Sequence, residues 1–269
     1  MAIYFQMLPQ GSEGCDLVHR RTSMFDLIQQ SILDRSQWPR IMNSTNLLPL
    51  NVESGDECQN LIFSRNWGSV AQRGMKRGAD VVGSALLLLV LSPLLLVIAI
   101  LVKFSSSGPI FYRWYVAGEG GRPFMSYKFR SMYANADQVK AQLAHLNEMR
   151  GPAFKITADP RITSLGRWIR RYSLDELPQL YSVLKGDMAL VGPRPPLVNE
   201  YELFTPYQKQ KMSVRPGLTC LWQVNGRNRI NDYDDWVRLD LEYIRTWSLW
   251  LDIRILLKTV REVLRGSGK

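Results

Sequence analysis

Cysteine and histidine are scarce in this chain. Three cysteines (Cys15, Cys58, Cys220) and two histidines (His19, His145) stand among 269 residues. The cysteines are odd in number and far apart, so they suit neither a disulfide framework nor a zinc site, and a reducing compartment is expected. Neither histidine has a partner at ligand spacing. Gly-x-Ser-x-Gly, CxxC and P-loop patterns are missing, as are internal repeats and low-complexity tracts. No basic stretch followed by an apolar run opens the sequence, so no signal peptide is expected. Hydrophobic content of 46% with 22% charged residues excludes both wholesale disorder and a many-pass transporter.

Acidic residues are also short: 24 against 34 Lys and Arg, a formal charge of +10. The excess is uneven. Residues 1–70 are slightly acidic, and the whole surplus falls on 71–269. A basic body of that kind expects nucleic acid, an anionic membrane surface or phosphorylated substrates. The chain divides accordingly into a variable extension, 1–70, with a helix plausible around Phe25–Leu33, and a domain spanning 71–269.

Charge is wholly absent between Asp80 and Lys103, where 22 apolar and small residues run unbroken. As a helix they would reach about 33 Å, enough for a hydrocarbon core of about 30 Å. An apolar face all round argues against a buried core helix and for membrane entry. Ser92–Pro93 near the midpoint predicts a kink. The pattern alone favours a kinked spanning helix. Basic residues flank both sides (Arg73, Lys76, Arg77; Lys103, Arg113), which leaves orientation open and also suits a re-entrant hairpin.

Beyond Pro109 the chain reads as a β-hairpin, two strand-like runs around Glu119-Gly120-Gly121. A phosphate-cradling glycine loop is the alternative for that cluster. Residues 134–149 read as a polar helix. At the end, Trp250, Ile253, Leu257, Val260 and Leu264 recur at helical spacing opposite Arg254, Lys258, Arg261 and Arg265. This amphipathic helix either packs on its own domain or lies at a membrane surface.

Chemistry concentrates between these elements. Residues 122–171 hold ten Lys and Arg but three Asp and Glu. Asp175–Glu176 follows directly, within Ser173-Leu-Asp-Glu-Leu-Pro. Ser173-x-x-Glu176 suits a capping box, yet Pro178 sits poorly in a simple helix start. The other reading is an ionised carboxylate among cations, able to act as nucleophile or metal ligand. Lys128 and Arg130 alternate with apolar residues and are expected on one strand face. With Arg194, held between prolines, they suggest a phosphate pocket, and Asn225-Gly226 would present Arg227 at a loop tip. Asp232-Tyr-Asp234 resembles a metal-nucleotide DxD motif, but three-residue matches are common by chance and this one precedes a helix as a cap would.

Taken in order, these residues resemble the bacterial sugar transferases, the monotopic polyprenyl-phosphate phosphoglycosyl transferases. The match spans about Lys76–Arg265. It rests on Lys76-Arg77 with Asp80, Ser92-Pro93, Lys128-Phe-Arg-Ser-Met132 and Asp159-Pro-Arg-Ile-Thr163. It continues through Ser173–Leu180, Val191-Gly-Pro-Arg-Pro195, Arg215-Pro-Gly217 and Gln223-Val-Asn-Gly-Arg227, with Cys220 standing where the family usually has glycine. The resemblance implies an α+β monotopic membrane protein: a re-entrant helix hairpin over about 81–102 bent at Ser92 and Pro93, a small β-hairpin, and a mainly helical cytosolic catalytic part, 103–269, with interfacial amphipathic helices. It further implies transfer of a sugar phosphate from a nucleotide sugar, usually a uridine one, to polyprenyl phosphate at the inner membrane. Asp175 would be the nucleophile, Glu176 its partner in holding Mg2+, and Lys128, Arg170, Arg194 and Arg227 the phosphate contacts. Nucleic acid is not an expected partner, and the sequence leaves open whether the chain forms a homodimer. A DxD glycosyltransferase using Asp232 and Asp234, and a lipid-binding protein without catalysis, stand as rivals.

Overall fold

A computed structural model describes residues 68–225, 230 and 232–268. The extension, with its expected helix at Phe25–Leu33, and Arg227 lie outside the described residues. The first element is α1, Val70–Ser105, opened by a capping box in which Ser69 and Gln72 exchange hydrogen bonds. At 36 residues it is about 54 Å long. One stripe faces the rest of the domain: Lys76, Asp80, Ser84, Ile98 and Val102 are buried, with Leu88 and Leu95 partly so. The other faces expose Leu89, Val90, Leu96, Val97 and Leu101 to the surroundings. Only 11% of its most apolar 18-residue window is buried, which excludes the core-helix reading.

The helix runs unbroken across Ser92–Pro93. Proline supplies no amide proton for the Leu89 carbonyl four residues back, and the Ser92 hydroxyl donates to that same carbonyl at 2.8 Å. The Ser-Pro pair thus repairs the bond it breaks.

Strands β1 (Phe111–Ala117) and β2 (Pro123–Phe129) form the expected antiparallel hairpin, with Gly120 and Gly121 at positive φ in its turn. The polar helix expected over 134–149 does not form as one element. It breaks into a single turn, Ala136–Val139, and a 3₁₀ stretch, Ala141–Leu146, because almost no face of it is buried. Helix α2 (Ser164–Arg171) is capped by Thr163, whose hydroxyl accepts from the Gly166 N–H at 2.8 Å. A 3₁₀ turn, Leu174–Gln179, leads into α3 (Leu180–Lys185).

A second sheet was not legible in advance. Strand β3 (Ala189–Val191) pairs in parallel with β4 (Gly217–Thr219), placing the Gly-Pro-Arg-Pro and Arg-Pro-Gly segments side by side. Helix α4 (Tyr233–Thr246) and helix α5 (Leu249–Arg265) close the domain. The main core gathers Leu180, Val183, Met188, Val191, Val237, Leu241, Ile244 and Ile255 beneath these elements.

Helix α5 buries Asp252 and Ile255, with Leu251 and Leu256 packed partly against the core and Thr259 bonded to Thr219 of β4. The stripe of Trp250, Ile253, Leu257, Val260 and Leu264 is exposed, Leu264 by 76%. The packed-on-domain alternative therefore fails for that stripe.

Candidate active site

The 3₁₀ turn Leu174–Gln179 carries Asp175 and Glu176, both buried, at 6% and 7% exposure. The capping box expected at Ser173 does not form. Ser173 adopts a left-handed conformation (φ 53°), the one non-glycine residue with positive φ among those described, and its side chain caps nothing. The Glu176 N–H reaches the Ser173 carbonyl at 3.3 Å instead. Short 3₁₀ bonding also accommodates Pro178, which an α-helix would reject. Backbone strain at such a position is commonly retained where a side chain must be aimed.

What the Glu176 side chain does decides the reading. Its Oε1 receives hydrogen bonds from Lys128 Nζ and Arg194 Nη2, each at 2.8 Å. Lys128 comes from β2 and Arg194 from the proline-flanked loop after β3, so two separate elements deliver cations to one carboxylate oxygen. Such charge-assisted bonds are stronger than neutral ones and fix orientation. Burial drags Lys128 below the ordinary lysine value of 10.5, and Arg194 beside it adds to that, while Glu176 and Asp175 oppose it. Burial also works against Arg194, but Glu176 more than offsets this and holds the guanidinium above its usual value. Asp175 thus lies close enough to both cations to interact with their charge, beside a second carboxylate.

Aromatic rings frame the cations, a feature the sequence reading missed. Lys128 Nζ lies 4.1 Å from the centre of the Trp114 ring, and Arg194 lies 6.0 Å from that of Trp222. The first contact could have been found from strand register, since Tyr112 faces Lys128 and Trp114 lies one diagonal away. The second depends on loops far apart in sequence.

Other expected residues divide. Arg170 is half-buried at the end of α2, and its positive charge helps hold the Asp159 carboxyl below the usual range; there burial opposes, but the Arg161 hydrogen bonds prevail. Arg130 does not share the face of Lys128, because β2 ends at Phe129. Its guanidinium turns away to the end of α1, donating to the carbonyls of Val102 (3.0 Å), Ser106 (2.6 Å) and Pro109. Lys76 and Arg77 are likewise no headgroup-facing flank: Lys76 is buried, and Arg77 donates to the Val183 and Leu184 carbonyls. Asp232 caps α4, accepting from the Asp234 N–H at 2.9 Å, and Asp234 Oδ1 accepts from Gln208 at 2.7 Å. The DxD match is therefore a helix cap.

The family model described as bacterial sugar transferase matches residues 71–266. The chain is 47% identical over 193 residues to the galactosyl transferase CpsE of Streptococcus agalactiae, covering 72% of this chain and 43% of that protein. It is 42% identical over 212 residues to the undecaprenyl-phosphate galactose phosphotransferase of Salmonella typhimurium, covering 77% and 44%. Against the exopolysaccharide production protein ExoY of Rhizobium meliloti it is 40% identical over 198 residues, covering 72% and 87%. It thus spans less than half the length of the first two and most of the third. With the family match reaching from α1 through α5 and including the dyad and both of its cations, the chain belongs to the bacterial sugar transferase family.

Proposed function

We propose that this protein transfers a sugar phosphate from a uridine-diphosphate sugar to a polyprenyl phosphate in the membrane. The observation that carries the reading is the buried Asp175–Glu176 pair with Lys128 and Arg194 converging on Glu176. In the first half-reaction an Asp175 carboxylate oxygen attacks the phosphorus that bears the sugar. The bond from that phosphorus to the bridging oxygen breaks, and the nucleoside monophosphate leaves with the electron pair. In the second, an oxygen of polyprenyl phosphate attacks the same phosphorus, releases Asp175 and yields a polyprenyl diphosphate sugar. Two partial reactions let the soluble product depart before the lipid enters.

Lys128 and Arg194, both bonded to Glu176 Oε1, offer positive charge to the incoming diphosphate, where like-charge repulsion with Asp175 is otherwise severe. No group of three or more His, Cys, Asp or Glu capable of holding a metal occurs among the described residues. Two neighbouring carboxylates nevertheless fit Mg2+, which uses one or two carboxylates together with substrate phosphates. Asp175 and Glu176 would hold it, and when bound it would supply charge neutralisation on the diphosphate.

Membrane attachment belongs to the same proposal. Both ends of α1 are tied to one body: Lys76 and Arg77 to segments at Val183–Val191, and Val102 to Arg130, with Ile98 and Val102 packed on Phe129 and Ile169. Ends anchored to one domain suit a re-entrant helix, with the exposed stripe of α5 lying against headgroups and the domain on the cytosolic side. Product analysis with a panel of nucleotide sugars and a short polyprenyl phosphate tests the reaction. Nucleoside monophosphate is expected, and release of nucleoside diphosphate would overturn it.

A pH dependence follows from Lys128. Its cationic form is the useful one and its pKa is lowered, so activity should fall as pH rises through a value below 10.5. In Lys128→Arg, whose guanidinium keeps its proton, the alkaline limb should move upward. An unmoved limb in that variant would remove Lys128 from the phosphate contacts.

A further inference from the structure

A second buried polar cluster lies away from the dyad, where the foot of α1 meets α5 and β3. Lys76 Nζ donates to Asp252 Oδ2 at 2.6 Å and to the Val191 carbonyl at 3.0 Å. One turn on, Asp80 Oδ1 accepts from the Leu190 N–H at 3.0 Å. A pair spaced i, i+4 on one helix thus takes the N–H and the C=O of two adjacent residues of β3. The Tyr243 hydroxyl from α4 lies 2.7 Å from Asp252 Oδ1 and 3.1 Å from the Val191 carbonyl, and the Trp247 indole donates to Asp252 Oδ2 at 3.3 Å. Lys76, Asp80, Tyr243 and Asp252 are all buried.

Nothing in the chemistry proposed above uses these groups, and their arrangement is costly. Three charges and a phenol are withdrawn from water, where apolar packing would serve a core equally well. Their targets are specific backbone atoms. Val191 precedes Arg194 by three residues, and the intervening Gly192-Pro193 leaves little slack because proline fixes φ.

We propose that Lys76, Asp80, Tyr243 and Asp252 are positioning residues: a clamp on Leu190–Val191 that sets where the Arg194 guanidinium meets Glu176 and substrate phosphate. The clamp draws its members from α1, α4 and α5, and two of these, α1 and α5, carry the exposed apolar surface. Seating of those helices in a bilayer is thereby tied to the loop that holds Arg194. The proposal rests on the functional reading above for its kinetic consequence, though not for its geometry.

Tyr243→Phe is the mildest test, since it keeps the ring and removes only the hydroxyl. Against a uridine-diphosphate sugar its KM should rise about tenfold, the worth of one hydrogen bond to a charged group. A partly unfolded preparation would lower apparent kcat instead. In an Arg194→Ala background the same substitution should change kcat/KM less than about twofold, because its effect passes through Arg194. Lys76→Met, which keeps the stem and loses the donors, should act in the same direction more strongly if it folds. Arg238→Ala, on an exposed pair with Asp235, serves as the control. Hydrogen exchange adds a measure independent of turnover: the amides of Leu190, Val191, Gly192 and Arg194 should exchange about tenfold faster in Tyr243→Phe. An unchanged KM, an equal loss with and without Arg194, or unchanged exchange would each overturn the clamp. If the native protein turns over no nucleotide sugar, the functional reading fails and the exchange measurement alone decides this one.

Discussion

Asp175→Asn should abolish transfer, lowering turnover by about a thousandfold or more, while the protein still folds and reaches the membrane. Asparagine matches aspartate in size and keeps an oxygen that can accept hydrogen bonds, so the buried turn has little reason to rearrange. What it loses is the carboxylate oxygen that the proposed mechanism uses to form the bond to phosphorus. Incubating native protein with nucleotide sugar but no polyprenyl phosphate should leave a peptide containing residue 175 heavier by one sugar phosphate. The Asn variant should show no such adduct. Glu176→Gln should fail differently: its effect should include stability, because Lys128 and Arg194 would be left with a neutral partner in a largely buried site. Near-native turnover in Asp175→Asn would end the covalent mechanism. An adduct on another residue would keep the two-step chemistry and move the nucleophile.

The dyad itself was legible, since an Asp-Glu pair after a dense basic stretch is unusual company for a plain helix start. Its use was not. The letters Ser-x-x-Glu suit a capping box equally well, and the choice was made by partners from elsewhere, when β2 and the loop after β3 brought two cations to the Glu176 oxygen. Tertiary charge pairing outweighed a local cap worth about 1 kcal/mol. Arg130 shows the reverse limit. Alternation placed it with Lys128, but periodicity holds only while the strand lasts, and beyond Phe129 its guanidinium serves the carbonyls ending α1. Lys76 looked like a flanking charge because a count of basic residues cannot tell a headgroup partner from Asp252 across 176 residues of chain. The apolar run and the exposed stripe of α5 were legible for the opposite reason, since long periodic patterns depend on no distant partner.

Arg215-Pro-Gly217 shows how a motif can be visible in sequence while its reason is not. Gly217 and Gly192 lie on neighbouring strand ends, and their backbones touch. The Gly192 N–H donates to the Thr219 carbonyl at 3.0 Å, and the Gly217 N–H donates to the Pro193 carbonyl at 2.8 Å. A Cβ placed on Gly217 would fall 2.0 Å from the Gly192 nitrogen and 2.6 Å from its Cα and carbonyl oxygen. All three are backbone atoms of the residue that follows β3, whose Leu190 and Val191 are held by α1, so no side chain can swing away to make room. Gly217→Ala should therefore cost more than about 3 kcal/mol, beyond ordinary overpacking, and is expected to lower the melting temperature steeply or leave the domain unfolded. Any folded fraction should bind nucleotide poorly, since the displaced backbone leads directly into Pro193 and Arg194. Gly78→Ala gives the contrast: nothing lies within 4 Å of a Cβ there, and alanine in mid-helix should stabilise by about 0.5–1 kcal/mol. Thermal unfolding of both variants in one detergent, with uridine diphosphate binding measured below the transition, reads the two effects separately. A Gly217→Ala protein that melts and binds like the native one would show that the strand ends can part, and that Arg194 is held by something other than this contact.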